Sequence, residues 1–232
     1  MKPVALITGA SSGIGRALVE ELRATHEIVA LGRDAGRLAE LDAWRTLSAD
    51  LQDAAVFEPG GAVFALVADL PRLDVIVHSA AVGTPWLLDA TTAAEWQRQL
   101  ATNVIAPALL TTLAMPKLRE AHGTVVFIGS GVSIRPARAM GAYVASKHAL
   151  KGLADTLRLE VEGDGVRVAT VLPGQVATPM QVELQEGLGG TYSPEDYIRP
   201  ESIATAVRYV VDAPVEVQIT DLAVRPRGWQ LR

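Results

Sequence analysis

The sequence predicts an α/β fold, a doubly wound parallel sheet of about seven strands with helices on both faces in three α/β/α layers. Three observations point to it. Short apolar runs alternate along the chain with longer amphipathic segments. The apolar runs are continuous rather than alternating, as in strands covered on both faces. The first run leads straight into a glycine-rich turn that opens a helix, Thr8-Gly9-Ala10-Ser11-Ser12-Gly13-Ile14-Gly15. Right-handed crossovers then wind the chain to both sides and leave a cleft beyond the strands' C-terminal ends.

The strands are read in order as Val4 to Ile7, Glu27 to Leu31, a weaker one at Arg45 to Ala49, then Asp74 to Ser79, Thr124 to Gly129, Val166 to Leu172 and Val217 to Leu222. Between them, helical periodicity spans Gly13 to Ala24, Ala35 to Ala43, Ala62 to Ala68, Ala93 to Glu120, Ala142 to Val161 and Glu201 to Val211. No repeat, low-complexity tract or Pro/Gly/Ser linker divides the chain, so residues 1–232 read as a single domain. The least regular stretch, Pro179 to Pro200, reads as a binding loop over the cleft.

Composition removes several function classes. Apolar residues make up 49% and charged residues 20%, enough for a full core. The net charge of −5 makes the chain poor bait for phosphate polymers, so no nucleic-acid partner is expected. There is no cysteine, which rules out disulfides and thiolate chemistry. His26, His78, His122 and His148 show no metal-ligand spacing, so no metal is expected. No apolar run is long enough to cross a bilayer and no signal peptide is visible, which gives a soluble, cytoplasmic protein as the expectation.

The glycine turn has a chemical reading. Glycine lets the backbone bend sharply and lets a phosphate approach without meeting a Cβ. The helix N-terminus behind it offers free N–H groups and the positive end of its dipole to a pyrophosphate. The second strand ends Ala30-Leu31-Gly32-Arg33, without the acid that grips the ribose hydroxyls of an unphosphorylated dinucleotide. Arg33 could pair with a 2′-phosphate as a planar fork, whereas Asp34, next to it, argues the other way. Asp50 could reach an adenine amino group or cap a turn.

Tyr143 and Lys147 stand at i, i+4 in a helical segment and share a face. A phenol titrates near ~10 in water, and a nearby ammonium favours its ionised form, which would bring it toward neutrality. Ser130 ends a buried strand 13 residues before Tyr143, where its hydroxyl can hold a substrate oxygen beside the phenol. Ser133 competes for that role.

These features together resemble the short-chain dehydrogenase/reductase family, in its compact single-domain branch. The resemblance rests on Thr8-Gly9-x3-Gly13-x-Gly15, Ser130, Tyr143-x3-Lys147 and Pro173-Gly174 with Thr178, in the family's order and at its spacings, from residue 3 to about residue 180. It implies a Rossmann-type fold and a catalytic set of Asn103, Ser130 rather than Ser133, Tyr143 as proton donor and acceptor, and Lys147. It implies a dinucleotide site drawn from Gly9, Ser11, Ser12, Gly13, Ile14, Gly15, Arg33, Asp50, Leu51, Ser79, Ala80, Ala81, Asn103, Tyr143, Lys147, Pro173, Gly174, Val176 and Thr178. NADP(H) is preferred because of Arg33, with NAD(H) as the alternative. A homodimer or homotetramer is implied as well.

Asn103 has a local physical reading too. Pro107 lacks an N–H, so the carbonyl of Asn103 loses its helical partner and can hold a water. The chain departs from the family where Asn-Asn-Ala-Gly is usual and His78-Ser79-Ala80-Ala81 stands here. His78 reads as a buried structural histidine. Trp86 and Tyr192 fall in segments that would flank a substrate.

The expected reaction is reversible hydride transfer between NADP(H) and a small-molecule carbonyl/alcohol pair. The rival is a catalytically silent dinucleotide-binding sensor or scaffold on the same fold. A sugar-nucleotide epimerase would need a larger C-terminal substrate domain than the residues after Pro179 provide. Residues 179–200 carry no cluster of Arg or Lys, so a modest apolar alcohol, ketone or aldehyde is expected rather than a phosphorylated or carrier-bound substrate.

Overall fold

The computed structural model describes residues 2–227; Met1 and residues 228–232, the ends of the expected domain, lie outside the described residues. Seven parallel strands form one sheet in the order β3-β2-β1-β4-β5-β6-β7. They are β1 (Val4–Thr8), β2 (Glu27–Gly32), β3 (Arg45–Ser48), β4 (Val75–His78), β5 (Thr124–Ile128), β6 (Arg167–Pro173) and β7 (Asp221–Val224). The order reverses between β1 and β4, which opens a crevice at their C-terminal ends.

Each strand's alternate side chains feed one of two cores. On one face Leu6, Leu31, Ile76 and Phe127 pack with α3 (Ala62–Asp69), α5 (Ala106–Ala121) and α6 (Gly141–Glu160). On the other, Ile7, Ala30, Val77 and Ile128 pack with α1 (Gly13–Leu22), α2 (Ala35–Ala39) and α8 (Pro200–Val211). Of two further helices, α4 (Ala93–Leu100) packs on α6 and α7 (Pro179–Gly187) lines the crevice. The central strands are fully buried, which is why they carry no polar alternation.

Three expectations are corrected. The segment Ala93 to Glu120 is not one helix: five residues, Ala101–Ile105, form a π turn between α4 and α5, with the Ala106 N–H reaching back to the Ala101 carbonyl. Pro107 cannot donate to Asn103, so the ladder opens there. The stretch 179–200 is not wholly irregular, because Thr178 N-caps α7 through a 3.3 Å bond from the Gln181 N–H, with Pro179 in the first turn. The last strand begins at Asp221, not Val217. Gln218 Nε2 occupies the Val168 carbonyl of β6 at 2.8 Å, so ladder pairing starts only at the Thr170–Asp221 rung. Of the early apolar residues, Val217 closes a turn through its N–H to the Pro214 carbonyl at 2.9 Å and Ile219 packs against the second core without entering the ladder.

Candidate active site

The crevice is a cleft of about 500 Å³. It runs from the glycine turn, past the ends of β4, β5 and β6, to α7. Every expected site residue lines it except Asn103.

The glycine turn is a backbone construction. Gly9 (φ +68°) and Gly13 (φ +52°) take left-handed conformations that suit glycine. A Cβ on Gly15 would stand 2.2 Å from the Gly9 carbonyl oxygen, and one on Gly9 would meet the Ala80 Cα at 2.8 Å. The turn thus closes on the loop after β4 with no side chain between them. Ser12 is the N-cap of α1 but makes no side-chain cap bond, and the first turn carries no acid. Its N–H groups are left as a positive cradle that an added Cβ would fill, which fits a dinucleotide pyrophosphate.

At the tip of β2, Arg33 is exposed and lines the cleft. Asp34 is engaged elsewhere: its carboxylate caps α2 through the Arg37 N–H at 3.0 Å and pairs with the Arg37 guanidinium at 3.3 Å. Asp50 caps its turn by accepting from the Gln52 N–H at 3.0 Å, while also facing the cleft beside Leu51.

The loop after β4 is pinned by side chains from outside it. Thr8 Oγ1 accepts from the Ser79 and Ala80 N–H groups, both at 3.0 Å. Asn103, fully buried in the π turn, holds both backbone groups of Val82: its Nδ2 donates to the carbonyl at 2.8 Å and its Oδ1 accepts from the N–H at 2.9 Å. Asn103 Nδ2 also donates to Ser146 Oγ at 2.9 Å, and that hydroxyl donates to the Tyr143 carbonyl at 2.8 Å. The Asn103 side chain therefore braces the wall rather than facing the cleft. His78 is buried, bonded to Thr111 Oγ1 at 2.8 Å and stacked on Phe127, and burial holds it down to about 3, so it stays neutral.

Ser130, Tyr143 and Lys147 stand together at the cleft's centre. Ser133 is buried away from it and instead accepts from the Ser130 N–H at 3.1 Å, which separates the two serines. Lys147 is 2% exposed, donates to the Ile128 carbonyl at 2.8 Å and lies 5.7 Å from the Tyr143 ring centre. The expected fall in the Tyr143 pKa is not found in this geometry. Burial pushes the phenol up to about 12, only partly offset by hydrogen bonding to Ser130, and brings Lys147 down to about 8. Low-dielectric enclosure disfavours both charged forms.

On the opposite wall Pro173, Gly174, Val176 and Thr178 face the same space, with Thr178 Cγ2 about 3.0 Å from the Cβ position of Gly13. Trp86 and Tyr192 do not line the cleft. Trp86 is tied through its N–H to the Ala139 carbonyl at 2.7 Å, and Tyr192 stacks on Tyr197. Sequence reasoning missed Gly83, whose Cβ would lie 2.9 Å from the Tyr143 ring, and the arginines 135, 138 and 225. Gly83 had a signal, a glycine two residues past the motif departure. The arginines had none, because distant loops bring them together.

Among the described residues there is no cluster able to hold a metal, and no helix is long and apolar enough to cross a membrane. The fold and this site define a nicotinamide-type oxidoreductase architecture, and comparison agrees. The short chain dehydrogenase family profile matches residues 3–189, so the chain belongs to that family. It is 29% identical to dehydrogenase/reductase SDR family member 11 of Bos taurus, over 96% of this chain and 95% of that protein. Among solved structures it resembles an alcohol dehydrogenase from the archaeon Thermococcus sibiricus complexed with 5-hydroxy-NADP (TM-score 0.84, 25% identity, 97% of each chain). It also resembles a short-chain dehydrogenase from Sphingobium yanoikuyae in complex with NADPH (TM-score 0.81, 27% identity, 97% of this chain and 88% of that one).

Proposed function

We propose that this protein catalyses reversible hydride transfer between NADP(H) and a carbonyl/alcohol substrate. The observation that carries this reading is the meeting of Ser130, Tyr143 and Lys147 in one cleft with the glycine cradle. The solved neighbours named with NADP-type ligands support the same cofactor here. The residues fit such a cofactor along the whole cleft. The turn at Gly9 to Gly15 would hold the pyrophosphate, Arg33 the 2′-phosphate, and Asp50 and Leu51 the adenine. Ser79, Ala80 and Ala81 would flank the nicotinamide ribose, with Pro173, Gly174, Val176 and Thr178 against the ring. Asp34, already satisfied by Arg37, does not compete for the ribose, which favours the phosphorylated form.

When bound, the nicotinamide supplies or accepts the hydride and, oxidised, adds a positive charge to the cleft. The chain's own residues manage the oxygen and its proton. Ser130 Oγ and Tyr143 Oη hydrogen-bond the substrate oxygen. The phenol, protonated at neutral pH in this geometry, is the acid in the reductive direction and gives its proton to the nascent alkoxide. Lys147, brought down to about 8, is a cation close to its own titration and is placed to hold a ribose hydroxyl and recharge the phenol. Asn103 keeps the Ser146–Tyr143 turn and the Val82 loop in register, a positioning role.

Tyr143→Phe tests the proposal directly. It removes the proton donor but not the ring that packs against Gly83, so cofactor binding, read by quenching of protein fluorescence, is retained. Turnover falls by about three orders of magnitude or more, within the range for general acid catalysis plus orientation. A variant with wild-type turnover overturns the assignment.

A further inference from the structure

Besides Arg33 and Asp50 at its glycine end, the cleft is lined by three further arginines. Arg135 and Arg138 come from the loop between β5 and α6, and Arg225 from just beyond β7, yet all three line the cleft. Among the described residues lining the cleft, Asp50 is the only acid, and it sits at the opposite, adenine end.

Arg225 is held in place. It is half-buried, and its Nη1 donates to the Leu172 carbonyl at 2.8 Å. That same nitrogen lies 3.2 Å from the Cβ position of Gly131, so the guanidinium stands one residue from Ser130. Burial and the like charge of Arg135 both hold Arg225 below its ordinary value. A cation set into a partly buried wall is favoured by an anion placed against it, and the planar guanidinium fork matches carboxylate and phosphate oxygens. The cleft lining also includes the apolar Val132, Met140 and Leu184.

Resting on the oxidoreductase reading above, we propose that Arg225 and Arg138 form an anion subsite, so that the substrate is a carbonyl or hydroxy compound bearing a carboxylate or phosphate a few bonds from the reacting carbon. This replaces the neutral apolar substrate expected from residues 179–200 alone. The charge is delivered by two other segments.

The test uses the purified full-length protein with NADPH and two matched pairs: 4-oxopentanoate against its methyl ester, and dihydroxyacetone phosphate against dihydroxyacetone. The expected result is an anion-over-neutral ratio of kcat/KM of about tenfold or more in one pair, and the pair that shows it separates carboxylate from phosphate. In Arg138→Gln and in Arg225→Gln that ratio falls by about fivefold or more, through KM. Turnover with no anion preference in either pair overturns the subsite and leaves the oxidoreductase reading intact.

Pentanoate and inorganic phosphate, which cannot be reduced, provide the second measurement. A rise in melting temperature with either one, lost in Arg138→Gln, supports the subsite even if no carbonyl is turned over, the outcome that counts against the reading of the reaction instead. No turnover and no rise overturns the subsite. Arg138 is exposed, so its variant folds whether or not the Arg225 variant does.

Discussion

The two ends of the cleft are built from different materials. The cofactor end is shaped by backbone: glycines at 9, 13 and 15 that leave no room for a Cβ or need a left-handed turn, and a helix N-terminus with its N–H groups open. The substrate end is shaped by side chains, with arginines and apolar groups carried by three separate segments. Backbone architecture tolerates almost no substitution, because a clash between main-chain atoms cannot be relieved by a rotamer change. Side-chain architecture can be retuned one residue at a time.

If that contrast is right, Gly15→Ala produces the largest effect. The new methyl would stand 2.2 Å from the Gly9 oxygen, so the turn must open. A loss of about 3 kcal/mol or more in urea unfolding is expected, together with loss of NADPH binding. Wild-type stability in this variant would break the comparison at its firmest point.

The next effect comes from beneath the cofactor loop. His78 is neutral when buried and titrates near 6.5 when unfolded, with its folded value at about 3. The unfolded chain therefore binds the extra proton first, and stability falls as pH drops through this window. Between pH 6.5 and 5 the loss is about 2 kcal/mol. His78→Gln, which can keep a bond to Thr111, should flatten that slope in denaturant titrations; an unchanged slope would remove His78 from the account.

The smallest effect is expected at Arg33, which lies exposed at the rim of the cofactor end. Arg33→Ser should raise KM for NADPH about fivefold to tenfold, about 1 kcal/mol, and leave NADH nearly unaffected. Equal losses for both coenzymes would mean that Arg33 does not read the 2′-phosphate.

The same division explains what the sequence discloses. The seven strands and the glycine turn are legible because continuous apolar runs and glycine spacing are local consequences of burial and backbone geometry. Ser130, Tyr143 and Lys147 are legible because a strand end and an i, i+4 spacing bring them to one place. The start of β7 is not, since it depends on Gln218 of one segment occupying a carbonyl of another. The state of the phenol is not legible either, because the i, i+4 spacing shows the neighbouring cation but not the enclosure that raises the phenol. Arg225 and Arg138 converge only after the chain has folded, so no spacing announces them.

The brace around residues 79–82 bears on the chain's unusual His78-Ser79-Ala80-Ala81. Four main-chain groups there are gripped from elsewhere, two by Thr8 and two by the amide of Asn103, which acts as a single extra rung beyond the end of the sheet. Ser79 and Ala81 are thereby released from scaffolding duty, and their side chains are at liberty to drift without the wall losing its shape, whereas His78 stays fixed by Thr111 and Phe127.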